Sequence, residues 1–207
     1  MAPRPHNKSS AKTKILDAAL MVIRAKGYAA TTVDDLCAAS AVTKGAFFHH
    51  FKSKDDMAVA AAEHWSKVTG ELFEAATYHG HADPLERVLG YLDFRKQLIT
   101  GDVAEFTCLV GTMVQETFES SPAIRAACEA SISGHAAKIE TDIAKAMRQR
   151  GLRANWTAKS LALYTQAVLQ GAFILAKSKD DAKIAAASID HLRRYIEYLF
   201  NPPIQVR

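Results

Sequence analysis

The sequence predicts an all-α protein of about nine helices, and three observations carry that expectation. Of 207 residues, 49% are hydrophobic, alanine is abundant and only six are proline, which suits helices better than strands. Apolar residues recur at i, i+3 and i+4 along most of the chain. Between these periodic stretches stand helix-capping residues and glycine stops.

The first helix runs from about Ala11 to Lys26, with Ile15, Leu16, Ala19, Leu20, Val22 and Ile23 apolar and Gly27 as its stop. Thr32 is a good N-cap for the second, and Asp35 can return the bond as a capping box. Val33, Leu36 and Cys37 give that helix one apolar face. Ser40-Ala41-Val42 makes a turn, with Val42 as its apolar plug. Thr43 then caps a third helix whose buried side is Phe47, Phe48 and Phe51, leaving Lys44, Gly45 and His49 facing away. Ser53 opens a fourth helix to about Thr77, with Asp56 returning the cap. Asp83 and Pro84 start a fifth, which ends near Thr100-Gly101. A strongly apolar helix follows over about Val103–Phe118. Ser121-Pro122 opens a long amphipathic helix that Gly151 closes. Asn155 caps the next, to about Ser178, and Asp180-Asp181 starts the last, which ends before Asn201-Pro202-Pro203. No period of 20–50 residues repeats, which argues against a solenoid.

Charge is unevenly placed. Residues 1–60 hold nine Lys/Arg against five Asp/Glu, an excess equal to the whole net charge of +4; residues 61–207 hold 17 of each. A basic N-terminal quarter is the electrostatic footprint of phosphate binding, although residues 4–14 alone could be a solvated tail. Residues 1–10 read as a mobile basic arm and lack the apolar run of a secretory signal. No apolar stretch approaches the ~20 residues of a membrane span. Three cysteines without C-x-x-C spacing disfavour a disulfide framework or a structural zinc site and point to a reducing cytoplasm. His79 and His81 supply two metal ligands of a possible set, but no third stands nearby, so they read as a solvated loop. No Gly-x-Ser-x-Gly, phosphate loop, His-Glu-x-x-His or glycine-rich nucleotide fingerprint occurs, and neither a cofactor nor a metal is expected.

The stretch 32–56, two short helices around a tight turn followed by a third start, is the layout that pushes one helix into the major groove of DNA. It resembles the tetracycline-repressor (TetR) family, whose pattern is Thr, then Ile-Ala-x-x-Ala-Gly-Val-Ser-x-Gly-x-Leu-Tyr-x-His-Phe, then Lys. Thr32, Val42, Gly45, His50, Phe51 and Lys54 match it; Thr43 stands for Ser, Phe47 for Leu and Phe48 for Tyr. Ala41 replaces the turn glycine, Ser40 the preceding alanine, and Cys37 a small residue. Thr43 and the start of the third helix suit a phosphate oxygen; Lys44, Gly45 and His49 suit base edges. His50 and Lys54 suit the opposite backbone, and Phe48 lacks the phosphate bond that a tyrosine hydroxyl would give. The candidate DNA-binding set is therefore Thr32, Thr43, Lys44, Gly45, Phe48, His49, His50 and Lys54.

The resemblance implies residues 11–56 as the DNA-binding domain and 57–207 as a helical ligand-binding and dimerisation domain. It implies a small-molecule cavity, for which Trp65, Phe73, Tyr91, Phe94, Phe106, Met113, Phe118 and Tyr164 are candidate walls. Glu116, Gln166 and Gln170 are candidate polar points, because polar groups on apolar helices need partners. Cys108 could sense electrophiles or oxidants, against the simpler reading of a small apolar filler. The last two helices are apolar on more than one side and imply a two-fold interface, with Val168, Gly171, Leu175, Ile189, Leu192, Ile196 and Leu199 as candidates.

The expected protein is a homodimeric, cytoplasmic regulator, a repressor released from a near-palindromic double-stranded operator by an unknown small molecule. The alternatives are a Cys108-based redox repressor and, from other classes, a helical enzyme with a nucleic-acid-binding arm or a ligand-blind architectural protein. Converging acid and base groups in a pocket would mark the enzyme, and a filled C-terminal core the architectural protein.

Overall fold

The computed structural model describes residues 10–201. The arm expected at residues 1–10 thus lies outside the described residues, except for Ser10. Among the described residues there are ten α-helices and no strand: α1 Ala11–Lys26, α2 Val33–Ser40, α3 Lys44–His50, α4 Lys54–Glu74, α5 Pro84–Gln97, α6 Val103–Phe106, α7 Leu109–Thr117, α8 Pro122–Gln149, α9 Ala158–Lys179 and α10 Ala182–Phe200. No described helix is long and apolar enough to cross a membrane.

Local signals set most boundaries. Thr32 and Asp35 form the capping box of α2, Thr43 accepts the Ala46 N–H, and Ser53 accepts that of Asp56. Asp83 and Pro84 open α5 as their chemistry requires. The cap of α9 is Thr157, not Asn155: its hydroxyl accepts the Ser160 N–H while Ser160 returns the bond. Asp180 belongs to the end of α9, in the left-handed region, and Asp181 caps α10.

Ala41 takes φ 52° and ψ 41° in the turn between α2 and α3. A Cβ crowds that conformation by about 1–2 kcal/mol, partly offset because alanine restricts the unfolded chain more than glycine does. Ala41→Gly is therefore expected to stabilise the protein by up to about 1 kcal/mol, read as a higher midpoint in urea. An unchanged or lower midpoint would show that the turn is unstrained.

The apolar stretch expected as one helix over 103–118 is two. Thr107 and Cys108 are extended, and they separate α6 from α7. The cause lies 81 residues upstream: Arg24 of α1 donates from Nη1 to the Glu105 carbonyl at 2.6 Å and to the Thr107 carbonyl at 3.4 Å. Those carbonyls face a buried guanidinium, stacked 5.2 Å from the Trp65 ring, and do not serve a continuing helix. The Cys108 Sγ then caps α7 by accepting the Gly111 N–H at 3.4 Å.

Two cores result. The first joins Ile15, Leu36, Phe47, Met57 and Ala61 with Leu109, Met113, Ile124 and Cys128, so α7 and α8 complete the floor beneath α1–α4. The second is built by α5, α8, α9 and α10 around Leu92, Ile143, Leu169, Ile189 and Ile196.

Candidate nucleic-acid interface and cleft

α3 is held from below. Phe47 is fully buried and Phe51 nearly so, their rings 5.5 Å apart. This fixes the opposite side outward: Thr43, Lys44, Gly45, Phe48 and His49 are exposed, and His50 is half-buried. Phe48, expected on the buried side, is 52% exposed and only edges Phe47 at 5.2 Å. Seven residues cannot bury three large rings on one stripe, and the ring following Phe47 turns outward. A Cβ added at Gly45 would meet nothing within 4 Å, so this surface is open. Lys44 pairs with Asp34 of α2 at 2.8 Å, but both side chains are well exposed and such a pair is weak enough to exchange for a phosphate or a base.

Thr32 and Lys54 have internal work. Thr32 caps α2. The Lys54 ammonium donates to the carbonyls of Tyr28 (3.1 Å), Ala29 (3.4 Å) and Thr31 (3.0 Å) and lies 4.3 Å from the Tyr28 ring centre. It ties the loop after α1 to the start of α4, a use of the lysine that the sequence did not reveal. The Tyr28 hydroxyl donates to Asp55 at 2.5 Å, and burial together with that carboxylate raises its pKa. On the other side of the loop, Glu116 of α7 accepts the N–H groups of Tyr28 (3.1 Å) and Ala29 (2.7 Å). Gly27, at φ 88°, leaves room for it: a Cβ there would stand 2.7 Å from Glu116 Oε1.

A cleft of about 520 Å³ opens between α4, α7, α8 and α9. Four of the expected lining residues meet there: Trp65, Cys108, Gln166 and Gln170. The others are placed elsewhere. Phe94 packs edge-on to Phe73 at 5.2 Å, in the second core. Met113 is buried in the first core, and Phe106 in the second. Glu116 serves the loop just described. Tyr164 and Phe118 are 46% and 58% exposed, Tyr164 beside Tyr195 at 5.3 Å.

The cleft also gathers residues that the sequence reading passed over. Arg95 of α5, with His135 and Lys138 of α8, lines it. Tyr91 Oη accepts from Arg95 Nε (3.0 Å) and Gln166 Nε2 (3.4 Å), which leaves its proton for His135 Nε2 at 3.0 Å. Burial first, then the charges of Arg95 and Lys138, pull the His135 pKa down to about 3, so the ring is neutral. The Tyr91–Arg95 spacing of four on one helix was the available signal.

That depressed value has a stability consequence. Below the unfolded value near 6.5 the unfolded chain takes up a proton that the folded ring refuses. His135 should thus cost about 1.4 kcal/mol of stability per pH unit as pH falls from about 6.5 toward 3. His135→Gln is expected to flatten the decline between pH 6.5 and 5 in urea titrations. Parallel wild-type and variant curves would refute it.

The final helices correct the expected interface. Ile189, Leu192 and Ile196 are 1%, 2% and 0% exposed within the single chain, because α10 packs this stripe on α5 and α9. Val168 and Leu199 lean on the same core, and Gly171 is half-buried. Leu175 does face outward, at 51% exposure, and shares the surface of these helices with Leu163, Ile174, Tyr195 and Tyr198. His79 lies in a 3-10 turn, Thr77–Gly80, bonded to the Phe73 carbonyl, and no metal-binding cluster occurs among the described residues.

An outward helix clamped over a helix-turn-helix floor, joined to a separate helical cleft, defines a helix-turn-helix DNA-binding regulator. Residues 15–61 match the family described as bacterial regulatory proteins, tetR family, and residues 84–187 match the C-terminal domain of LmrA/YxaF-like transcriptional regulators. The chain belongs to the TetR family of transcriptional regulators, which are not enzymes. It is 30% identical over 108 residues to the transcriptional regulator AcuR of Cereibacter sphaeroides, a stretch covering 52% of this chain and 49% of that protein. A TetR-family regulator from Agrobacterium tumefaciens shares the fold with a TM-score of 0.80 at 19% identity, over 91% of this chain and 98% of that one. A triple-cysteine mutant of the TetR-family regulator CifR, solved with a 26-bp double-strand operator DNA, aligns with a TM-score of 0.72 at 20% identity over 94% and 98% of the two chains.

Proposed function

We propose that this protein is a cytoplasmic, homodimeric repressor that binds a near-palindromic double-stranded operator and releases it when a small molecule fills the cleft. Residues 11–56 read DNA, and residues 57–207 hold the effector and the dimer contacts. One observation carries the reading: α4 supplies a wall of the cleft at Trp65, Ser66 and Thr69, starts at Lys54 directly after the reading helix ends at His50, and packs along α1 of the DNA-binding domain. A helix is stiff over this length, so a ligand pressing on its far half tilts the near half and the DNA heads with it. The effector must favour the non-binding arrangement, since equal affinity for both would shift nothing. The operator complex of CifR, a protein of the same fold, supports a double-stranded target.

Selection from a random DNA pool should return a near-palindrome with two half-sites spaced for a two-fold protein. Sedimentation should show two chains per site, and mass spectrometry of co-purified small molecules should identify the occupant of the cleft. Enrichment of no sequence, or binding as a monomer to single half-sites, would overturn the proposal.

Cys108 serves as a helix cap in this reading. Cys108→Ser keeps a cap oxygen and is expected to bind and release DNA as the parent does. Loss of release by alkylating agents in the variant alone would make the thiol the sensor instead.

A further inference from the structure

The cleft holds a cation without a counter-ion. Arg95 is half-buried in its wall, lying 4.6 Å from the Phe73 ring centre, and no described carboxylate pairs with it. Glu63, the one acid of the lining, is exposed, while Lys138 is matched by Glu74 at 2.5 Å. The hydrogen-bond partners of Arg95 are neutral: Nε goes to the Tyr91 hydroxyl, and Nη2 approaches His135 Nε2 at 3.3 Å. A guanidinium has five N–H groups, so hydrogens remain on both terminal nitrogens. Stacking on Phe73 and the Tyr91 bond fix the plane of the group in advance.

We propose that the effector is a monocarboxylate with an apolar body, its carboxylate gripped by Arg95. The proposal rests on the reading of the cleft as the effector site. A planar carboxylate matches the two-pronged donor geometry, and a partly desolvated charge gains most from an ion that enters with it. Gln166 and Gln170 supply neutral polar contacts, and Trp65, Val110 and Ile132 give the body an apolar wall. A volume near 520 Å³ admits benzoate or hexanoate with room for a larger apolar body.

The test compares benzoate and hexanoate with benzamide, hexanamide, hexylamine and inorganic phosphate, using calorimetry and thermal shift on the full-length protein. The carboxylates are expected to bind saturably and at least tenfold more tightly than the amides. Arg95→Gln should weaken carboxylate binding by 30-fold or more and leave the amides unchanged. Arg95→Lys keeps the charge without the fork and should fall between; it serves also if Arg95→Gln does not fold. Amides binding as well as carboxylates, no carboxylate binding at all, or phosphate binding in their place would overturn the proposal. A separate operator-release assay keeps the two readings apart. Carboxylates that bind through Arg95 without releasing DNA would leave the anion site standing and remove the regulatory role. Release by a neutral compound with carboxylates inert would do the reverse.

Discussion

Ile196→Glu is expected to unfold the protein, not to divide it into folded protomers. Ile196 has no exposed surface and sits in the core shared by α5, α9 and α10. A carboxylate there has no partner and cannot reach water, and the cost, on the order of 4–5 kcal/mol or more, rivals the whole stability of a domain. Leu175→Glu should behave in the opposite way. Leu175 is half-exposed on the outer face of α9, so the charge stays solvated in the monomer and is desolvated only in a dimer. Circular dichroism should show Leu175→Glu folded and Ile196→Glu unfolded, and sedimentation should show the former as a monomer. A folded Ile196→Glu monomer would return the interface to the stripe that the sequence suggested.

The second large effect belongs to the reading helix. Lys44→Ala and His49→Ala are each expected to lose on the order of 1–3 kcal/mol on the cognate operator, and much less on random DNA. Both side chains stand on the exposed side of a helix whose other side is fixed by Phe47 and Phe51, so neither loss should disturb folding. Lys54→Ala should differ in kind. Its ammonium is aimed at three loop carbonyls, so removal should lower the melting temperature while the salt dependence of binding stays near the parental value. A salt slope lowered by about one phosphate per subunit would mean that the lysine leaves the loop to reach DNA. Operator affinity unchanged in both Lys44→Ala and His49→Ala would remove the groove-facing role of α3.

What could be read from the chain alone was whatever depends on near neighbours. Ser53 and Asp83 announce helix starts because capping acts within a few residues, and Pro84 and Pro122 do so because proline fits the first helical turn, although Ser121 makes no side-chain cap bond. The turn at Ala41 and the outward set around Gly45 followed from register. The break at Thr107-Cys108 was hidden because its cause, Arg24, is remote in sequence. The uses of Glu116 and Lys54 were hidden likewise, since both bind backbone on a distant loop. An apolar stripe states that Leu192 and Ile196 are covered, without stating by what, and the covering element proved to lie within the same chain. A third of the expected cleft residues, Trp65, Cys108, Gln166 and Gln170, converged there. Arg95 and His135 were missed because a charged or titratable residue on an amphipathic helix looks solvated until the facing helices are in place.

The floor beneath α1–α4 is completed by Leu109, Met113, Ile124 and Cys128, from well beyond the recognition segment. This bears on transplantation. A chimera that carried residues 10–56 onto another regulator would abandon part of its own foundation, because α1 packs on α4, α6 and α7. Portable specificity would need the graft to bring matching surfaces from α7 and α8, or a recipient whose own helices already present them. Changing the DNA target is simpler by rewriting the outward positions of α3 in place, because they can vary without touching the masonry below.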